Sequence, residues 1–104
     1  MKSLKYVAKD FGDEWNGTYE ISMITAKQHI DIESEILKKK KTMDLSFYKA
    51  LLMLTAVKKE GKPFNYKPEE LLEKMPGKLY LILYNACDKL NNITMEDQRF
   101  LLEI

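Results

Sequence analysis

The chain is poor in the residues that carry most protein chemistry. Its 104 residues include one cysteine, Cys87, and one histidine, His29. A lone cysteine excludes an internal disulfide and a multi-cysteine metal site, and it favours a reducing compartment. The four glycines are scattered singly, so there is no glycine-rich loop to cradle a phosphate. Neither sign of charge prevails. With 17 basic and 16 acidic side chains the net charge is +1, too little for the whole surface to attract nucleic acid or an anionic membrane. Arginine is nearly absent, Arg99 being the single one. No apolar run approaches the roughly 20 residues needed to cross a bilayer. Met1 to Asp10 lack the apolar centre of a secretion signal, and the expected location is the cytoplasm.

What is present is ordinary for a globular chain: 45% hydrophobic and 32% charged residues. The length suits one domain over residues 1–104. Leu4, Tyr6 and Ala8 alternate with Lys5, Val7 and Lys9, and Tyr19, Ile21 and Met23 alternate with Glu20 and Ser22. This period of two predicts a β-hairpin region over 1–24. Two connections fit. Asn16-Gly17 as a tight turn pairs Phe11–Trp15 with Thr18–Ser22, whereas a longer loop pairs Ser3–Lys9 with Thr18–Met23.

From Thr25 onward the period becomes helical and predicts a helical region over 25–104. Thr25 and Gln28 have the spacing of a capping box. Ala26, His29, Ile30, Glu33, Ile36 and Leu37 then form one broad face, and Lys38 to Lys41 close the helix. A second helix is predicted from Leu45 to Lys59, apolar nearly all round and therefore central. Gly61, Pro63 and Asn65 mark a loop. Pro68 opens a short helix, Glu69 to Met75, that Pro76-Gly77 ends. Leu79, Ile82, Leu83, Ala86 and Leu90 recur at helical spacing, which favours a helix over a buried strand for Leu79–Tyr84. Asn91-Asn92 follow, and Thr94 caps a last helix with Glu96 and Asp97 in its first turn. The expected fold is mainly α, with about five short helices and one small N-terminal hairpin.

The chemical inventory does not assemble a reaction. His29 has no nucleophile or orienting carboxylate at a useful spacing and reads as a packing residue. Cys87 lies among apolar neighbours and reads as a small hydrophobe. Asp31, Glu33 and Glu35 point around the helix and do not converge on a metal. No catalytic, cofactor-binding or metal-binding residue is assigned, and the chain is read as a non-enzyme. Two features invite a partner. Lys38 to Lys41 with Lys58, Lys59 and Lys62 offer a basic strip, the basis of an alternative reading as a small regulatory or nucleic-acid-binding protein. Against it, the flanking helices carry comparable acid, and a four-lysine run between helices is usually a solvated connection. The last two helices, read as a helix-turn-helix, would present Glu96, Asp97 and Glu103 beside Arg99, the wrong sign for a DNA groove. The second feature is apolar: Trp15 at the hairpin tip, and Phe100, Leu101, Leu102 and Ile104 at the end of the chain. These five are the candidate partner-binding residues.

Tyr19-Glu-Ile-Ser-Met-Ile-Thr25-Ala-Lys-Gln-His-Ile-Asp-Ile-Glu33 resembles the opening of tail assembly chaperones of long-tailed bacteriophages and related proviruses. There a short strand passes through a threonine junction into an amphipathic helix. Lys67 to Pro76, Leu79 to Leu90, Asn91 and Thr94-Met-Glu-Asp are similar to the family's C-terminal pattern. That pattern is a short helix ending at proline, a long helix ending in leucine–asparagine, and a last helix opening on acidic residues. The resemblance implies a non-enzymatic, mostly helical protein without cofactor. It would coat the helical tape-measure protein, recruit tail-tube subunits and self-associate, in the host cytoplasm if phage-derived. Membrane and nucleic acid are not partners on this reading.

Overall fold

The computed structural model describes residues 3–39 and 45–93. In chain order these form β1 (Ser3–Ala8), β2 (Gly17–Ser22), α1 (Ala26–Lys38), α2 (Leu45–Ala56), β3 (Val57–Lys59), β4 (Lys62–Pro63), α3 (Pro68–Lys74) and α4 (Gly77–Asn91). The helix expected from Thr94 lies outside the described residues.

The N-terminal hairpin takes the longer of the two connections. Ser3 pairs with Ser22 and Ala8 with Gly17, in antiparallel register. Asn16 does not sit in a two-residue turn. Its Oδ1 accepts the Phe11 N–H at 2.8 Å, and the Gly12 carbonyl accepts the N–H groups of Trp15 and Asn16 at 3.1 and 2.8 Å. The asparagine thus closes a loop by capping it.

Two sequence expectations are corrected. The fold is mixed α/β, not mainly α: an antiparallel sheet of order β1-β2-β3-β4 stands beside four described helices, where a two-stranded hairpin and about five helices are expected. The predicted helix Leu45–Lys59 also stops at Ala56, and Val57–Lys59 becomes β3. The physical reason is non-local. Val57, Lys58 and Lys59 pair with Ile21, Glu20 and Tyr19 along the second side of β2, and Val57 is fully buried there. The β3–β4 turn supplies the reversal: Glu60 and Gly61 both have positive φ, 51° and 77°, as a type I′ turn demands. Gly17 has a positive φ as well, 143°, a conformation that favours glycine. A Cβ there would lie 2.6 Å from Glu60 Oε1, the oxygen that accepts the Thr18 N–H at 2.7 Å.

The local helix signals hold. Thr25 and Gln28 form the reciprocal capping box of α1, with bonds of 3.2 and 2.8 Å. Pro68 stands in the first turn of α3, and α4 is one continuous helix across Leu79–Tyr84. α2 is central as expected, touching α1, α3, α4 and β3. The core gathers Tyr19 and Ile21 from β2, Leu52 and Met53 from α2, Val57, Leu71, and Leu79, Leu83 and Cys87 from α4, all 0–1% exposed. Each large side chain so buried contributes about 1.5–3 kcal/mol before entropy is charged. The sheet is covered by α4 and α2, and α1 is held mainly through α2.

Candidate functional site

The surface of α1 is where sequence and packing disagree most. At 3.6 residues per turn, its apolar residues divide into two neighbouring strips. His29, Ile32 and Ile36 turn toward the body of the protein, Ile32 being buried and the other two half-buried. A groove of about 280 Å³ between Ile32, Gln28, Asp31 and Glu35 of α1 and Leu51 and Thr55 of α2 marks that contact. The second strip, Ala26, Ile30, Glu33 and Leu37, is exposed along its whole length. Ile30 is 56% and Leu37 77% exposed, one heptad apart. The face expected to pack is therefore only half used, because the helix is rotated so that Ile32, outside that face, enters the core.

Trp15 is not at a free tip. It is 7% exposed and stacks on Tyr66 at 5.8 Å between centroids, with Phe64 at 6.4 Å. Tyr19 joins through Phe64 and donates its hydroxyl to the Trp15 carbonyl. Burial first, then the neighbouring Tyr66 and Tyr6, push the Tyr19 hydroxyl up to about 12. Tyr66 donates to Glu14 Oε1 at 3.1 Å, and that bond raises its pKa. Lys59 reaches across to the Glu14 carbonyl at 2.6 Å. Trp15 is thus a core residue of its own chain, not the free hairpin tip expected. The signal that it packs was the alternation of Phe64 and Tyr66, placed beside it by β4. The other four candidates, Phe100, Leu101, Leu102 and Ile104, lie outside the described residues.

Lysines of the basic strip have individual partners in the described residues. Lys39 bonds Glu69 at 2.8 Å and lies over the Phe47 ring, and Lys38 is 3.7 Å from Glu35. Lys58 stands opposite Glu20 on the sheet, and Lys59 is held by Glu14. Lys40 and Lys41 are outside the described residues. Lys38 and Lys39 are thus paired with carboxylates, whereas Lys58 only faces one across the sheet and Lys59 meets an uncharged carbonyl.

Cys87 is fully buried, and burial, followed by Asp88, pushes its thiol up to about 12. A thiol held neutral in this way is a packing group, not a nucleophile. Among the described residues no three of the histidine, cysteine, aspartate and glutamate side chains converge on a metal position. No described helix is long and apolar enough to cross a membrane. Comparison with protein-family models, curated proteins and solved structures finds no match.

Proposed function

We propose that the chain is a non-enzymatic tail assembly chaperone that binds the tape-measure protein and assists tail-tube assembly. The observation that carries the reading is the unabsorbed strip of α1. A helix of 13 residues, fixed at its start by a full capping box, presents Ile30 and Leu37 one heptad apart to solvent. Apolar residues at that spacing suit the side of another helix, which is the form of a tape-measure client. The strip begins at the Thr25 junction, inside the segment that resembles the chaperone family. Glu33 interrupts it, and Lys27–Asp31 beside it, bonded at 3.1 Å, supply a polar border. A chaperone that must release its client needs such a strip to be narrow, since large apolar interfaces are the obligate ones.

Gene order tests the reading directly. A tail-tube gene upstream and a very long gene of coiled-coil periodicity downstream are expected. A coding context without tail genes overturns it, and tight, salt-dependent binding to duplex DNA would favour a regulatory protein instead.

A further inference from the structure

We infer that β1 pairs edge to edge with β1 of a second copy, joining two four-stranded sheets into one continuous sheet. The inference stands apart from the proposed function, since it rests on the sheet alone. β2 carries strands on both sides, so its backbone groups reveal which way β1 points. Thr18 directs both its N–H and its carbonyl to the β3 side, to Glu60. Backbone direction alternates along a strand, so Tyr19 and Ile21 face β1. Their partners in the register, Tyr6 and Leu4, therefore spend their N–H and C=O groups on β2. Ser3, Lys5 and Val7 aim theirs outward. All three are exposed, and among the described residues no strand lies on that side.

The two edges of the sheet are treated differently. β4 is two residues long and ends in Pro63, which has no N–H to offer, so that edge is blunted. β1 has six residues and no proline. Docking β1 of a second copy on β4 would find a short partner without an N–H at Pro63, so a filament built that way is disfavoured. The remaining sheet contact between copies is β1 on β1, which is isologous and closes as a dimer.

Charge selects the register. Lys5 opposite Lys5 of the second copy sets like charges face to face, which destabilises a pair. Shifting by one bonded pair sets Lys5 opposite Val7 of the second copy, and by symmetry Val7 opposite its Lys5. Each pair exchanges both backbone bonds, and the lysine stems cover the valine methyls. Lys5 keeps Glu20 as its neighbour on β2, and Lys5 of the second copy moves from directly opposite to the more distant diagonal position. Leu4, 37% exposed, then faces Ala8 of the second copy, and Val7, 53% exposed, is covered.

Sedimentation of the full chain, with and without Val7→Pro, tests the inference. The substitution removes only an outward N–H, so the fold within one copy keeps all its strand bonds. The wild type is expected at twice the 12.2 kDa chain mass, and the variant at the chain mass with an unchanged circular dichroism spectrum. A wild type that stays monomeric as concentration rises overturns the inference, as does a Val7→Pro chain that still dimerises or a wild type that grows beyond a dimer. If the variant fails to fold, amide exchange on the wild type decides. The Lys5 and Val7 N–H groups should become protected as concentration rises, while those of Leu4 and Tyr6 are protected throughout. Fast exchange at Lys5 and Val7 in a dimer would place the contact elsewhere.

Discussion

Asn91 binds the Ile24 backbone: its Oδ1 accepts the Ile24 N–H at 2.7 Å, across 67 residues of chain. Its Nδ2 donates to the Ser22 and Cys87 carbonyls, both at 3.1 Å. One side-chain amide thus fastens the last turn of α4 to the segment that leaves β2 and enters α1. No other uncharged side chain of this length offers both a donor pair and an acceptor in this geometry.

Asn91→Ala should therefore cost about 1–3 kcal/mol, because it leaves the Ile24 N–H without its partner in a part-buried place. Asn91→Asp restores the acceptor but sets a carboxylate against two carbonyls, and should recover little of the loss. Urea titrations of the three proteins measure both effects. A midpoint unchanged in Asn91→Ala would mean that the clasp is ornamental.

Trp15 is the chain's single tryptophan, so its fluorescence reports the aromatic cluster alone. Emission should be blue-shifted in the native state and move red in one step with the loss of helical signal. Trp15→Ala should cost about 3–5 kcal/mol, as large aromatic truncations in a core do. Trp15→Phe should cost less, since the ring against Tyr66 is kept. A red-shifted native emission, or an Ala variant as stable as the wild type, would contradict the packing.

Alkaline pH should unfold the protein. Tyr19 and Tyr84 are raised from 10.0 to about 12, and Cys87 from 9.0 to about 12, each chiefly by burial. All three are neutral when protonated, so the folded state holds these protons more tightly than the unfolded one. Their stabilisation is complete below the unfolded values and is lost as pH rises through that window toward the folded ones. Melting temperatures should be flat up to about pH 8.5 and fall steadily above it, and Cys87 should resist thiol reagents until the chain unfolds. A thiol that reacts quickly in the native protein, or a melting point that rises with alkali, would contradict this.

What was legible in the sequence was what short-range chemistry decides. Thr25 with Gln28, Pro68, and the spacing from Leu79 to Leu90 each carry their own helix signal, and each element formed. The β3–β4 hairpin was not legible because Val57-Lys58-Lys59 continues a helical apolar pattern. Only the open side of β2, distant in sequence, turns it into a strand, although Glu60-Gly61 was a turn pair in plain view. The rotation of α1 was hidden for the same reason. Ile30 and Ile32 are equally apolar, and packing against Leu51 on α2 decides which of them enters the core. Trp15 seemed free because the rings that cover it, Phe64 and Tyr66, come from beyond that hairpin.

The central claim is that the exposed strip of α1 holds a helical client while contributing little to the fold. On the proposed function, co-expression of the full chain with a tape-measure protein encoded beside it measures this, using the wild type and the double variant Ile30→Glu, Leu37→Glu. Both sites are exposed, so the variant should melt as the wild type does, within about 0.5 kcal/mol of stability. The wild type should keep the tape-measure protein in the soluble fraction and co-purify with it, and the variant should do neither. A wild type that leaves the tape-measure protein insoluble, or a folded variant that retains it fully, would contradict the account.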